Sequence, residues 1–343
     1  MTNVIFYDTK SYDKVFFDQL KGEYGVSITY VESRLDATTA TMAKGYPVVC
    51  AFVNDTVDKE VIGILAKGGV RLLALRCAGY NNVDIKETCG KMQVVRVPAY
   101  SPHAVAEHAM ALLLAVDRKI NHAYVRTREF NFSLEGLVGF DLYGKTIGVI
   151  GTGKIGKVFI GICKGFGMRV LAYDLYPDKT LDVEYVSLDT LFKQSDIISL
   201  HCPLTKDNRH LLNKSTIAQM KDGAIVINTS RGALIDSNAL LDALRSKKLG
   251  GAALDVYEEE KDLFYKDNSG EIMEDETLAL LITLPNVIVT SHQAFLTSDA
   301  LFSIAKTTLG NILDWRDGKP LLNGICAECA DKLNMPKCTE SKK

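Results

Sequence analysis

Four short stretches carry residues whose types and spacing could do chemistry. The first is Gly151-Thr-Gly153-Lys-Ile-Gly156, which follows an apolar run at 147–150 and opens a helical-period stretch through Val158, Ile162 and Phe166. Glycines at this spacing allow a tight turn, close approach of the backbone to a pyrophosphate and close packing of helix on strand. The free amides of the helix start attract the anion. About 20 residues on, a second apolar run ends in Asp174, where a carboxylate grips a ribose diol. A 2'-phosphate beside that carboxylate would be repelled by on the order of 2 to 4 kcal/mol. Leu175, Tyr176 and Pro177 offer no arginine to receive the phosphate, so the expected cofactor is NAD and not NADP.

The other three stretches are strand ends. Val226-Ile-Asn-Thr-Ser-Arg231-Gly232 is apolar and then polar. Ligands collect at the carboxyl ends of strands in open α/β sheets, and a guanidinium holds a carboxylate bidentately at any working pH. The other reading of Arg231 is a surface or interdomain ion pair. Ala252-Ala-Leu-Asp255-Val-Tyr-Glu-Glu-Glu260 ends in an acidic run that is ordinarily a solvated loop. Ile288-Val-Thr-Ser-His292 ends in a histidine, a candidate acid or base because imidazole titrates near physiological pH. His103 and His108 are five apart and share no helix face, so they make a poor metal pair, and no metal is expected. His201 follows a strand and reads as a structural residue on the cofactor side.

Such residues need elements that hold them. Apolar runs at 4–7, 27–31, 48–53, 72–75 and 94–97 alternate with helical-period stretches at 11–21 and 57–67, the pattern of a parallel sheet covered by helices. A long helix is expected from Ser101 and Pro102, an N-cap and N1 pair, to about Arg126. A second series of strands follows near 146–150, 169–173, 196–200, 224–228, 251–255 and 287–290, and a helix at 298–316 carries the chain back. The expected plan is α/β, with two Rossmann-like parallel-sheet domains and an active-site cleft between them. Residues 1–100 and 297–343 would form a discontinuous substrate domain, and 101–296 a continuous cofactor domain.

Composition narrows the partners. Of 343 residues, 47% are hydrophobic and 24% charged, an ordinary globular balance, and 40 basic against 42 acidic residues leave a net charge of -2. No excess positive field exists for nucleic acid or an anionic membrane. The first residues read as a strand and no run approaches about eighteen apolar residues, so a soluble, cytoplasmic protein is expected. The eight cysteines lie mostly singly in apolar segments, as in a reducing compartment. Cys326 and Cys329 have metal or redox spacing, but only Cys338 follows, and they read as incidental thiols of a tail.

Taken together, these residues resemble the D-2-hydroxyacid dehydrogenase family over about residues 3–320, most closely its fermentative D-lactate branch. The resemblance implies a catalytic set of Arg231, Glu260 (five residues after Asp255) and His292, although the run Glu258 to Glu260 leaves open which carboxylate faces the histidine. Arg76-Cys-Ala-Gly79-Tyr-Asn-Asn-Val-Asp84 matches a family pattern in which the amides of Ala78 and Gly79 hold the substrate carboxylate opposite Arg231. With Gly151, Gly153, Gly156 and Asp174, the residues Lys154, Ile155, Cys202, Pro203, Asn208, Thr229, Ser230, Arg231 and Asp255 are implied to line the NAD site. Tyr100, Phe295 and Phe52 are implied to wall the substrate pocket. The implied reaction is reversible reduction of pyruvate to D-lactate, His292 being the general acid and base. Rival readings are a dehydrogenase for larger 2-oxo acids and, in another class, an NAD-sensing corepressor of the same fold. A homodimer or larger oligomer through the cofactor domain is also implied, as is hinge closure near 99–101 and 294–298.

Overall fold

The computed structural model describes residues 1–326, so Cys329 and Cys338 lie outside the described residues. The described residues divide into two compact units, one of Met1–Ser101 together with residues 297–326, the other of Pro102–Leu296.

The first unit begins with β1 (Thr2–Phe6), α1 (Ser11–Leu20), β2 (Val26–Tyr30), β3 (Val48–Ala51), α2 (Lys59–Gly68), β4 (Leu72–Leu75), α3 (Ile85–Thr88) and β5 (Gln93–Val95). The second runs through α4 (Pro102–Asp117), α5 (Ile120–Arg128), β6 (Thr146–Ile150), α6 (Lys154–Gly165), β7 (Arg169–Tyr173), β8 (Glu184–Tyr185), α7 (Leu188–Gln194), β9 (Ile197–Leu200), α8 (Lys214–Gln219), β10 (Ala224–Asn228), α9 (Ser237–Arg245), β11 (Leu249–Leu254), α10 (Glu276–Thr283) and β12 (Val287–Val289). Then α11 (Ser298–Arg316) and β13 (Gly324–Ile325) rejoin the first unit.

The first unit's sheet has the order β13-β5-β4-β3-β1-β2, parallel except for β13, which pairs antiparallel with β5. Ala305, Leu309 and Ile312 of α11 pack with Val4, Phe6, Val48 and Leu72 in one buried cluster, so the last helix completes this core. The second unit's sheet is parallel throughout, in the order β12-β11-β10-β9-β6-β7-β8. Along its central strands alternate residues enter different cores: Ile198, Leu200 and Val226 one, Ile197, Ile225 and Ile227 the other. Burial on both faces makes these strands near-continuous apolar runs. Strand order reverses between β6 and β9, which leaves a crevice beyond their carboxyl ends.

Two features differ from the sequence reading. The helix expected to reach about Arg126 is two helices: α4 stops at Asp117, Lys119 turns left-handed (φ 51°), and α5 starts at Ile120. The cause lies at the end of α4. The buried Asp117 carboxylate accepts the Phe140 amide at 2.9 Å, and a Cβ on Gly139 would fall 2.7 Å from the Asp117 carbonyl oxygen, so the returning chain lies across the helix end. None of the residues of α5 is buried. The strands β8 and β13, two residues each, were not anticipated, being too short to show a period.

Candidate active site

At the reversal point, Gly151 follows β6 with φ 98°, and a Cβ there would lie 2.5 Å from the Cys202 amide nitrogen, because Leu200 of β9 pairs with Ile150. A Cβ on Gly156 would lie 2.0 Å from the Gly151 carbonyl oxygen, which is the close helix-on-strand contact this glycine permits. A Cβ on Gly153 would meet nothing within 4 Å, so this glycine leaves open space in front of the loop. Gly153 is also the N-cap of α6 and provides no side-chain cap, so the first amides of the helix, from Lys154 and Ile155 on, remain available to an anion.

Around this loop, Asp174 follows β7 and accepts from the Thr152 amide at 2.6 Å and hydroxyl at 3.1 Å. Asn208 ties the Cys202-Pro203 turn through its bond to the Pro203 carbonyl at 2.8 Å, and the Ser230 hydroxyl donates to the Cys202 carbonyl. The Thr229 hydroxyl is buried with no hydrogen-bond partner among the described residues. An open glycine face, an uncapped helix start and an orphaned hydroxyl fit a bound dinucleotide. His201, tilted against Phe159 with ring centroids 4.7 Å apart and bonded to the Ser199 hydroxyl, is held by burial well below the usual imidazole range and is structural.

The ends of β10, β11 and β12 are neighbours, with Asn228 opposite Leu254 and Leu254 opposite Val289. Just past β10, the Asn228 side chain accepts from the Ser230 amide and donates to the Arg231 carbonyl, which shapes the turn that carries Arg231. The half-buried guanidinium donates to the Ser230 carbonyl at 2.7 Å and ion-pairs with no carboxylate among the described residues. Gly232 is required here, since a Cβ would lie 2.0 Å from the Tyr257 carbonyl carbon.

Past β11, the acidic run divides. Glu258 pairs with Arg209 and His210, and Glu259 faces solvent. Glu260 turns inward: Oε1 lies 2.8 Å from His292 Nδ1, and Oε2 accepts the Tyr257 amide at 2.9 Å. A carboxylate only accepts, so Nδ1 carries a proton and Nε2 is the nitrogen left for chemistry. His292 itself is left-handed, φ 53°, and is held at both backbone groups. Its amide donates to the Asp255 carbonyl at 2.7 Å and its carbonyl accepts the Tyr265 hydroxyl at 2.9 Å.

Asp255 follows β11 and is fully buried. Its side chain has no exposed surface, and its carboxylate accepts from the Thr290 hydroxyl at 2.6 Å and from the Gln293 and Ala294 amides at 2.9 Å each, with His108 Nε2 3.3 Å away. Burial opposes the charge, but the bonds from His108, Thr290 and the two amides hold the carboxyl below its usual range. The carboxylate therefore serves as a scaffold of the His292 turn. Nothing in residue spacing marks this role, or that of Tyr265.

In the first unit, Ala78 and Gly79 follow β4, and neither amide donates a hydrogen bond among the described residues. Phe52 is buried against the Arg76 guanidinium, 4.7 Å from its ring centroid, and Tyr100 is half-buried. Phe295, in the second unit, is buried. Among the described residues no three His, Cys, Asp or Glu side chains gather as a metal site, and no helix is long and apolar enough to cross a membrane.

Comparison with known proteins gives this chemistry its family. Residues 110–294 match the model of the D-isomer specific 2-hydroxyacid dehydrogenase, NAD binding domain. The chain is 51% identical over 325 residues to D-lactate dehydrogenase of Escherichia coli strain K12, covering 93% of this chain and 98% of that protein. The solved pyruvate reductase of Chlamydomonas reinhardtii superposes with a TM-score of 0.90 at 45% identity, over 94% of this chain and 98% of that one. The apo-structure of the Escherichia coli D-lactate dehydrogenase superposes at 0.88 with 48% identity, over 94% and 100%. A chain with this loop, these strand ends and these relatives belongs to the D-isomer specific 2-hydroxyacid dehydrogenase family, and it is an NAD-dependent oxidoreductase.

Proposed function

We propose that the chain interconverts pyruvate and D-lactate, with His292 as general acid and base. The observation that carries this reading is the His292 Nδ1 to Glu260 Oε1 contact of 2.8 Å, on strand ends adjoining the one that bears an arginine with no carboxylate partner among the described residues. In reduction, Arg231 binds the substrate carboxylate through its planar fork. His292 Nε2 then delivers a proton to the keto oxygen as it becomes a hydroxyl, and Glu260 holds the ring in orientation through Nδ1. NADH, when bound, supplies the hydride for C2. In oxidation, neutral Nε2 takes the hydroxyl proton. Within the first unit, the undonated amides of Ala78 and Gly79 are a carboxylate-binding pair in the same reading.

Pyruvate as substrate is supported by the relatives named for D-lactate and pyruvate. A reducing, cytoplasmic setting belongs to the same reading, supported by the free thiols of Cys50, Cys89, Cys163 and Cys202. Initial rates of NADH oxidation with pyruvate, 2-oxobutyrate, 2-oxoisocaproate and phenylpyruvate, with chiral analysis of the product, test it. The highest kcat/KM is expected for pyruvate, with D-lactate as product. An L product, or a preference for the bulky acids, would overturn the assignment, and no turnover at all would favour the corepressor reading.

We also propose a homodimer through the NAD-binding unit. Between residues 120 and 143 large apolar side chains stand in solvent, among them Phe130 at 83%, Phe132 at 71%, Leu134 at 79% and Val138 at 84% exposed. An isolated nine-residue helix such as α5 is marginal in water, so this segment calls for a partner surface. A second copy provides the same patch in a self-complementary contact.

A further inference from the structure

Thr152, inside the glycine loop, is buried, and both its amide and its hydroxyl approach Asp174 Oδ2. Because the carboxylate only accepts, the hydroxyl hydrogen of Thr152 is committed to Asp174, and its oxygen must accept from elsewhere. The Tyr185 hydroxyl stands 2.9 Å away and is the donor. Tyr185 in turn accepts the Asp178 amide at 3.1 Å. Asp178 is itself anchored by an ion pair to Lys157 and by the Thr180 amide and hydroxyl, at 2.9 and 2.7 Å. The result is a hydrogen-bond chain with a single direction, from the Asp178 amide through Tyr185 and Thr152 to Asp174.

We propose that Tyr185, on the two-residue edge strand β8, is a positioning residue that orients Asp174 for the adenosine ribose and thereby sets the preference for NADH over NADPH. Two donors from Thr152 occupy Oδ2, whereas among the described residues Oδ1 accepts only the Tyr176 amide, at 2.9 Å. Oδ1 is thus the oxygen with room for a ribose hydroxyl, and the Tyr185 chain fixes which oxygen that is. The proposal rests on Asp174 as the ribose ligand.

Equilibrium titration of the full chain with NADH and with NADPH, followed by nucleotide fluorescence, tests it without reference to turnover. Tyr185→Phe and Thr152→Val should each weaken NADH binding roughly three- to tenfold, the scale of one hydrogen bond, with NADPH changing less than about twofold. Thr152→Ser, which keeps the hydroxyl, should keep the wild-type ratio of affinities. Asp174→Ala serves as the control for the underlying reading. If Asp174→Ala narrows the ratio and Tyr185→Phe leaves it unchanged, or weakens both nucleotides equally, the positioning role is overturned and the ribose reading stands. If Asp174→Ala leaves the ratio unchanged, both fall. Unfolding midpoints of each variant show whether the fold survives, and Tyr185→Phe, at a half-buried edge, is the variant to judge by should Thr152→Val fail to fold.

Discussion

Glu260 is tied at both oxygens, to the His292 ring and to the Tyr257 amide, so its charge stays beside the imidazole whatever the imidazole's protonation state. Glu260→Gln keeps the size but replaces an oxygen that only accepts with an amide that can also donate, so the His292 ring is no longer held with a protonated Nδ1 toward it. kcat/KM for pyruvate should fall roughly 10²-fold or more, with NADH affinity little changed. Glu258→Gln, whose carboxylate belongs to Arg209 and His210, should leave kcat/KM in place. If kcat/KM falls in the Glu258 variant and not in the Glu260 variant, the assignment is wrong. Arg231 and His292 were legible in the sequence because each closes an apolar strand. Glu260 was legible only through family resemblance, since three consecutive glutamates look alike until the chain turns. Tyr185 and Tyr265 left no trace because their partners, Thr152 and His292, are 33 and 27 residues away. A hydrogen bond across that distance has no periodicity to read.

At the scale of elements, Gly156 and Gly153 play different parts although they lie in one motif. Gly156→Ala sets a Cβ against the Gly151 carbonyl, and the backbone must shift. Urea denaturation should show a loss of about 1–3 kcal/mol, the usual cost of overpacking, together with weaker NADH binding. Gly153→Ala meets nothing in the protein, so stability should hold while NADH affinity falls, roughly tenfold or more, because the added methyl occupies the open face of the loop. Equal stability losses in the two variants would contradict this division. The strands of the NAD-binding unit were readable as continuous apolar runs because helices cover both sides of the sheet. The break between α4 and α5 was not, and the reason is instructive. Ile120, Tyr124 and Val125 continue the apolar pattern past the break, yet each is more than half exposed. The pattern signals a face to be covered, and this chain's own core does not cover it.

For the whole molecule, that face predicts assembly. Sedimentation equilibrium should give a dimer for the wild-type chain, and Phe132→Asp combined with Val138→Asp should shift it to monomer, because two charges per copy would have to be desolvated against one another. A wild-type monomer at micromolar concentration would refute the proposed interface. Chain order carries a different consequence. The helix α11 that closes the first unit's core is made only after the roughly 200 residues of the NAD-binding unit, a delay of roughly 10 to 40 s at usual synthesis rates. The second unit holds all its strands in one continuous stretch and can fold as soon as that stretch emerges. The first unit, begun earlier, waits with Val4, Phe6, Val48 and Leu72 lacking their cover, so the half of the protein that is translated first is the half that finishes last.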